Sequence, residues 1–188
     1  MSKKKIALIV LGVLVLLLGI LMGVIASRPA DFSVSRSVVV NASAERIFPY
    51  LNNFKLSQQW SPFEKLDPDM KREFSGPAEG VGAVYAWEGN SSAGAGKLTI
   101  LESQPYERVY LQLDFYKPMQ GKNYTEYRIE PVGEGNHRVV WTMSGKHNFI
   151  GKAVCLIMNM DKAVGGMFEE GLASLKRLAE THDPDMGT

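Results

Sequence analysis

Histidine and serine, two residue types that often carry catalysis, occur in this sequence without a recognisable catalytic spacing. His137, His147 and His182 have no Cys, His or carboxylate neighbour at the spacing that metal ligands require. The Gly-x-Ser-x-Gly pattern of a nucleophile elbow is also absent. The sequence therefore predicts no metal, no cofactor and no catalytic residue, and it leaves open a triad assembled from distant positions.

Residues 94–97 read Gly-Ala-Gly-Lys, which is superficially similar to a phosphate-binding loop. A phosphate loop needs an earlier glycine at a fixed offset and a Ser or Thr directly after the lysine, whereas Leu98 follows here. The segment is therefore predicted to be a turn.

Three charged residues within predicted strands are the candidates for polar chemistry. Glu126 and Arg128 stand two positions apart on one strand, so their side chains share a face of the sheet. If that face lines a cavity, the pair and Glu88 would orient a polar ligand group or supply an acid and a base. The alternative places the pair on the watered face, with Tyr127 and Ile129 directed inward. The pattern favours that alternative.

The amino-terminal segment 6–26 contains twenty-one consecutive residues without a charge, mostly Leu, Val, Ile, Gly and Ala. At about 1.5 Å per residue, a helix of this length crosses a hydrocarbon core of roughly 30 Å. The segment is therefore predicted to be a transmembrane helix. A cleaved signal peptide is the alternative, although the apolar stretch exceeds the usual length of about 7–15 residues. A buried core helix is disfavoured because no residue in the segment is polar enough to face water.

Basic residues flank this segment unevenly, with Lys3, Lys4 and Lys5 before it and only Arg28 closely after it. Positive charge is retained on the cytoplasmic side of membranes. The sequence therefore predicts a single-pass inner-membrane protein with a cytoplasmic amino terminus. The domain that follows is expected on the periplasmic or extracellular side.

The remainder of the chain is long enough to bury one core and is slightly acidic. The first thirty residues hold four of the 21 basic side chains and none of the 20 acidic ones, which leaves a net charge of −3 on the rest. No basic patch stands out, so nucleic acid is not an expected partner. The lone cysteine, Cys155, excludes an internal disulfide and is interpreted as a packed apolar residue.

Hydrophobic periodicity predicts one strand, two short helices, six further strands and a helical carboxy-terminal region. The short helices are predicted at 46–52 and 54–60, and the carboxy-terminal region at 150–180. Gly165-Gly166 is expected to weaken or bend that region, and Asp161 is a candidate cap for a second helix within it. The strands are predicted at 32–40, 70–75, 82–88, 96–102, 106–116, 122–132 and 137–146.

Three segments within this order of elements resemble the START-like superfamily, also called the polyketide cyclase or helix-grip (SRPBCC) group. They are VVVNASAERIF at 38–48, LSQQWSPF at 56–63 and FEEGLASLK at 168–176. The resemblance implies an α+β helix-grip fold, with a curved seven-stranded antiparallel sheet wrapped around a long carboxy-terminal helix and preceded here by one transmembrane helix. The chain then divides into an anchor and tether at 1–30, a ligand-cavity domain at 31–182 and a flexible tail at 183–188.

The same resemblance implies a cavity between the sheet and the carboxy-terminal helix, lined by apolar and aromatic side chains. Alternation along the strands places the candidates in same-face rows, which two helix residues would meet. Trp60 is a candidate gate at an entrance, with a surface-packing aromatic as the alternative. Ordinary core packing is the simpler interpretation of any single residue, so the prediction concerns the whole set. The cavity candidates are Trp60, Tyr85, Trp87, Leu111, Leu113, Phe115, Trp141, Met143, Phe168 and Leu172.

The superfamily includes binders, transfer proteins, cyclases and chaperone co-factors, so the resemblance specifies the fold better than the function. The first hypothesis is a non-enzymatic module that holds a lipid or other hydrophobic small molecule beside the membrane. The second is a cyclase- or dehydrase-like enzyme, which needs a convergent polar pair in the cavity. The third is a protein-interaction module with a vestigial cavity and an unknown protein partner.

Overall fold

The computed structural model describes residues 2–157 and 159–181, so the predicted tail at 183–188 lies outside the described residues. The strands are β1 Asp31–Val40, β2 Lys71–Ser75, β3 Val84–Glu88, β4 Ala95–Gln104, β5 Arg108–Lys117, β6 Gly121–Pro131 and β7 His137–Lys146. They form one seven-stranded sheet in the order β1-β7-β6-β5-β4-β3-β2, so the first strand lies beside the last. Each strand begins and ends within two residues of its predicted position.

The sheet and the helices of the chain together give the predicted helix-grip fold, which is confirmed. The helices are α1 Lys3–Ser27, α2 Ala44–Asn52, α3 Phe54–Ser57, α4 Phe149–Ile157 and α5 Met160–Thr181. The second short helix is shorter than predicted, since α3 is a single turn whose first amides are capped by the Asn53 side chain. A 3₁₀ helix, Pro62–Lys65, follows it.

The long helix α5 runs unbroken through Gly165-Gly166, where the sequence predicts a weakened helix. Packing explains the first of these glycines, because an added Cβ on Gly165 would stand 2.2 Å from a guanidinium nitrogen of Arg36. Arg36 of β1 pairs with Asp161 at 3.0 Å and with Glu169 at 2.7 Å, and so ties the strand to the helix. Asp161 therefore lies within the first turn of α5 as an ion-pair partner, rather than at the predicted cap position.

Part of the interior between the sheet and α5 is filled by aliphatic side chains. Alternate residues of the central strands point toward the helix, and large side chains in these rows are almost fully enclosed. We call this region the closed core. Its members are Val40, Ile47, Ile100, Val109, Leu111, Val139, Leu172 and Leu175.

The chain divides into two compact units, of which one contains α1 and α4 and the other contains the sheet from 33 to 145 together with α2, α3 and α5. In the first unit, Lys152 of α4 donates from Nζ to the carbonyl oxygen of Ala26, near the end of α1, at 3.2 Å. Among the described residues, α1 is the helix that is long and apolar enough to cross a membrane. Its 25 residues extend about 37 Å.

Candidate functional site

A cavity of about 110 Å³ lies between the sheet and the amino-terminal half of α5. Helices α2 and α3, the 3₁₀ helix and strands β3 to β7 contribute to its wall. Among the described residues, the polar side chains in the lining are those of Ser57, Ser61, Glu64 and Thr125, together with the phenol-bearing Tyr85 and Tyr127. The apolar and aromatic lining includes Leu51, Phe54, Trp60, Phe63, Leu66, Met70, Trp87, Leu98, Leu113, Trp141, Met143 and Phe168.

The boundary between this cavity and the closed core runs across the central strands. On β5, Leu113 lines the cavity, whereas Leu111 belongs to the closed core. On β7, Met143 and Trp141 line the cavity, whereas Val139 is fully enclosed. Residues two apart on a strand share a face, so both regions occupy the same side of the sheet. The cavity is therefore the unfilled end of one interior.

Aromatic rings form the inner wall of the cavity. Trp141 stacks on Phe168 of α5, with ring centroids 3.9 Å apart and planes inclined by 9°. Trp60 meets Trp141 edge-on at a centroid distance of 5.3 Å. The indole of Trp60 donates from Nε1 to the backbone carbonyl of Tyr50 at 2.9 Å, which fixes the ring. Trp60 is only 2% exposed, so it is a wall residue rather than a surface aromatic, and its role as a gate stays a prediction.

The Gly-Ala-Gly-Lys segment packs against this wall and does not form a phosphate-binding loop. Gly94 has a φ of +65°, a left-handed conformation that glycine adopts without strain. An added Cβ on Gly96 would stand 2.5 Å from the indole of Trp87, so the missing side chain lets that ring lie across β4. Trp87 also donates from Nε1 to the carbonyl oxygen of Ala93 at 3.0 Å. The predicted turn is wrong for most of the segment, because Gly94 directly precedes β4 and residues 95–97 are the first residues of that strand.

The carboxylate of Glu64, on the 3₁₀ helix, reaches the cavity, and each of its two oxygens already accepts a hydrogen bond. Tyr85 donates from its phenol to one oxygen of Glu64 at 2.6 Å, and Arg72 donates from Nε to the other at 2.8 Å. Burial and the hydrogen bond to Glu64 raise the pKa of Tyr85, so this phenol is neutral at pH 7. The hydrogen bond to Glu64 likewise raises the pKa of Arg72. The three side chains form a closed polar edge to the cavity.

Two hydroxyl-bearing side chains of β6 line the cavity without such partners. Thr125 and Tyr127 stand two positions apart on one face and are 4% and 8% exposed. Neither hydroxyl has a hydrogen-bond partner among the residues that the structure describes. Burial alone raises the pKa of Tyr127, so its phenol is also neutral at pH 7. Across the register from Tyr127, the indole Nε1 of Trp141 is enclosed and has no acceptor in the described part of the chain.

The structure divides the ten predicted cavity residues into two groups. Leu111 and Leu172 are each 1% exposed and belong to the closed core. Phe115 packs edge-on against Trp87 at 6.1 Å and does not line the cavity. Alternation identifies the inward face of a strand, but it carries no signal for where along the strand the interior stops being filled. The residues that do line the cavity are Trp60, Tyr85, Trp87, Leu113, Trp141, Met143 and Phe168.

The three charged candidates lie away from this cavity. Glu126 accepts hydrogen bonds from Arg108 and Arg128 on the outer face of β5 and β6. Burial opposes ionisation of Glu126, but these hydrogen bonds outweigh it and lower the pKa of the carboxyl. Glu88 pairs with Lys117 at 2.7 Å, and both side chains are exposed. None of the three supplies a polar group to the cavity lining.

Apart from Tyr85, the polar side chains that line the cavity are not singled out by the sequence pattern. Glu64 lies on the 3₁₀ helix and Tyr85 on β3, so their meeting is a tertiary contact without a spacing signal. Arg72 of β2 binds Glu64 from outside the lining. Thr125 carries a weak signal, because it is a hydroxyl in the same inward row of β6 as Tyr127. A polar residue in a row of buried positions is the feature that sequence analysis can use to find such a group.

A cysteine and a histidine meet within the unit that contains α1 and α4. The Sγ atom of Cys155 lies 3.4 Å from Nε2 of His147. The sequence predicts no such neighbour, because the contact depends on how α4 folds against the segment directly before it. Across the described ranges, no group of three or more His, Cys, Asp and Glu side chains is placed to hold a metal ion.

The model of the polyketide cyclase / dehydrase and lipid transport family matches residues 31–180. The predicted resemblance to the START-like superfamily is thereby confirmed. A search of curated proteins finds no match.

Solved structures with the same fold include enzymes and other proteins. Norcoclaurine synthase from Thalictrum flavum, in complex with dopamine and hydroxybenzaldehyde, has a TM-score of 0.61 and 14% identity, covering 82% of this chain and 89% of that chain. The Aha1 dimer from Colwellia psychrerythraea has a TM-score of 0.57 and 20% identity, covering 80% and 97%. CV1439 from Chromobacterium violaceum has a TM-score of 0.58 and 15% identity, covering 80% and 98%. At these identities the likeness concerns the fold alone.

Proposed function

We propose that this chain, which belongs to the polyketide cyclase / dehydrase and lipid transport family, binds a hydrophobic small molecule in its cavity while α1 anchors it to a membrane. The observation that carries the proposal is an interior that is filled at one end and hollow at the other. Protein interiors are normally close-packed, so a hollow lined by aromatic side chains favours a ligand. An apolar ligand partitions into the bilayer, and an anchored domain would meet it there.

Binding is favoured over catalysis by the state of the polar groups. An acid/base pair needs a group that is free to take or give a proton at the substrate. Glu64 has both oxygens engaged, by Tyr85 and by Arg72, and Tyr85 holds its proton at neutral pH because of the raised pKa. A cyclase-like enzyme remains the second candidate, since Glu64 and Tyr85 together form the polar edge that such chemistry would use.

The proposal is tested by native mass spectrometry of the full chain released from detergent, after purification from a bacterial membrane. We expect a stoichiometric apolar adduct that organic extraction removes. Leu98→Phe, which enlarges a cavity-lining side chain of β4, should abolish the adduct. Leu101→Phe makes the same change at an exposed position of β4 and should leave it in place. A chain that stays free of ligand when offered membrane lipids and small apolar compounds would contradict the proposal.

Anchoring by α1 is tested separately, by alkaline extraction of membranes that contain the full chain. We expect the protein to stay in the membrane pellet at its uncleaved mass. Leu14→Arg combined with Leu17→Arg places two charges in the middle of α1, each at a cost of roughly 2.5–3.5 kcal/mol for insertion, and should release the protein. Leu14→Ile with Leu17→Ile is the matched control and should stay membrane-bound. A protein that lacks residues 1–26 would indicate a cleaved signal peptide instead.

The side of the membrane that carries the domain is a further part of the proposal. Lys3, Lys4 and Lys5 support a cytoplasmic amino terminus. Protease added to intact spheroplasts should then digest the domain without lysis. Protection until the membrane is permeabilised would reverse the orientation.

A further inference from the structure

The volume of the cavity limits the size of what it holds. A cavity of about 150 Å³ lined by apolar side chains holds one benzene molecule, and cavities for drug-sized ligands are roughly 300–1,000 Å³. The cavity here is about 110 Å³. It is smaller than that benzene cavity but is open on one side, so it takes at most a single ring or a short branched chain whose substituents extend toward the opening. It is too small for a whole phospholipid.

Two buried hydroxyls limit the polarity of the ligand. Thr125 and Tyr127 lie more than nine-tenths buried at the cavity, and neither is paired within the described residues. An apolar ligand that displaces water from the cavity would leave these hydroxyls without a hydrogen-bond partner, so a ligand oxygen that pairs with them recovers that bond. A hydroxyl both donates and accepts, so a ligand alcohol, phenol or carbonyl oxygen satisfies either group.

The absence of a cation in the lining limits the charge of the ligand. No Lys, Arg or His side chain lines the cavity in the part of the chain that the structure describes. Arg72 is directed to Glu64 at 2.8 Å and so neutralises the one carboxylate present. A carboxylate or phosphate placed inside would be a buried charge without a partner, which is strongly unfavourable. A neutral ligand avoids this penalty.

From size, hydroxyls and charge together, we propose that the ligand is a neutral, ring-sized molecule with one hydroxyl or carbonyl group whose oxygen pairs with the hydroxyls of Thr125 and Tyr127. The proposal rests on the proposed function, because it names the chemical class that the same cavity takes. It excludes phospholipids by volume and free fatty acids by charge. The aromatic pair of Trp141 and Phe168 supplies a flat wall for the ring of the ligand.

Three probes of similar size separate these requirements. They are p-cresol, which has a ring and a hydroxyl, toluene, which lacks the oxygen, and p-toluate, which carries a charge. Binding is measured by equilibrium dialysis against the full chain in lipid nanodiscs, with empty nanodiscs to subtract partition into lipid. We expect p-cresol to bind roughly tenfold more tightly than toluene, since one hydrogen bond is recovered. No saturable binding of p-toluate is expected.

Two nearly isosteric variants test which protein hydroxyl the oxygen of the ligand contacts. Thr125→Val and Tyr127→Phe each remove one hydroxyl and should weaken p-cresol binding roughly threefold to tenfold while leaving toluene binding unchanged. Thr99→Val on β4 is the matched control, because Thr99 is not part of the cavity lining. Its p-cresol affinity should equal that of the unmodified chain. The retained toluene binding shows in the same assay that each variant is folded.

The outcomes distinguish the ligand class from the function itself. Equal binding of p-cresol and toluene, insensitive to both variants, would overturn the oxygen contact and leave a hydrophobic cavity in place. Tighter binding of p-toluate would overturn the neutral class. Failure of all three probes, with a long-chain lipid still co-purifying, would overturn the ring-sized class alone. Failure of all probes without any co-purifying ligand would overturn the proposed function as well.

Discussion

The two ends of the interior between the sheet and α5 use the same inward rows of side chains with different results. At one end, Leu111, Val139, Leu172 and their aliphatic neighbours interdigitate and leave almost no exposed surface. At the other end, Trp60, Trp141 and other large rings surround a hollow of about 110 Å³. The strands, the helix and the alternation are shared, so the difference comes from the shapes of the side chains.

Shape decides the outcome because flat, rigid rings pack edge-to-face or in stacks and cannot bend into the remaining gaps. Leucine, isoleucine and valine present short branches that fill a groove between neighbours. The stacked rings of Trp141 and Phe168 therefore stabilise the cavity wall without filling the space beside them. A filled end stabilises the domain, and a hollow end leaves the space that the proposed ligand would occupy.

The largest expected difference between the two ends is in the free energy of unfolding lost when two matched leucines of β5 are truncated. Leu111 is 1% exposed in the closed core, and Leu113, two positions along the same face, is 9% exposed and lines the cavity. Leu111→Ala should lower the free energy of unfolding by about 3 kcal/mol, because it opens a void in a filled interior. Leu113→Ala enlarges an existing space and should cost less by at least about 1 kcal/mol.

Urea unfolding of the full chain in detergent, followed by tryptophan fluorescence, measures both losses. Equal losses would mean that the hollow end contributes as much packing as the filled end, and they would remove the basis of the comparison.

The next effect concerns two glycines of α5. An added Cβ on Gly171 would stand 2.8 Å from the ring of Pro62 and 2.9 Å from the indole of Trp141. Gly171→Ala should therefore destabilise the domain by about 1–3 kcal/mol, through overpacking against the aromatic wall. Gly166→Ala is the matched control, since nothing lies within 4 Å of its added Cβ. It should stabilise the helix by up to about 1 kcal/mol.

Thermal unfolding of the two alanine variants by circular dichroism compares them directly. A stable Gly171→Ala variant would show that the aromatic side chains adjust easily to an added methyl group. The cavity wall would then be deformable rather than rigid.

The sequence predicts the order and approximate bounds of the strands because alternation and turn residues are local signals. It also predicts most of the aromatic lining, since Trp141 and Met143 stand in one alternating row. It does not separate Leu111 from Leu113, because both have the same residue type on the same face. That distinction depends on neighbours from other strands and from α5.

The polar contact at the edge of the cavity likewise cannot be predicted from the local sequence pattern. Glu64 meets Tyr85 at 2.6 Å only after the 3₁₀ helix packs over β3, and no spacing rule connects the two positions. The charged residues that the pattern emphasises, Glu126 and Arg128, instead pair on the outer face. Charge in a strand sequence indicates which face is exposed to solvent, whereas the polar groups of the cavity lining are hydroxyl-bearing side chains and the paired carboxylate of Glu64.

A smaller effect is expected from Tyr85→Phe at the polar edge. The change removes a hydrogen bond to a charged acceptor and leaves one oxygen of Glu64 without its donor. The expected loss is about 1–2 kcal/mol in the free energy of unfolding. Tyr116→Phe, at a half-exposed position of β5, is the control and should change it by less than about 0.5 kcal/mol. Unfolding in urea at pH 7 compares the two, and equal small changes would mean that water replaces the phenol at this edge.

The smallest expected effect lies on the outer face, at Glu126. Its folded pKa is below the ordinary value of 4.5, because hydrogen bonds from Arg128 and Arg108 outweigh the opposing effect of burial. The ionised form therefore stabilises the fold above that ordinary value, and the contribution is lost as the pH falls through the lower folded pKa. Glu126→Gln should remove at most about 1 kcal/mol at pH 7 and flatten the fall in stability on the acid side.

Stability curves between pH 7 and pH 3 test this expectation, with Glu73→Gln on β2 as an exposed control. Affinity for p-cresol at pH 7 should be the same in the Glu126→Gln variant as in the unmodified chain, because the outer face and the cavity lie on opposite sides of β6. A change in that affinity would show that the ion pairs set the position of Thr125 and Tyr127, and the two faces of this strand would then have to be treated as one coupled site.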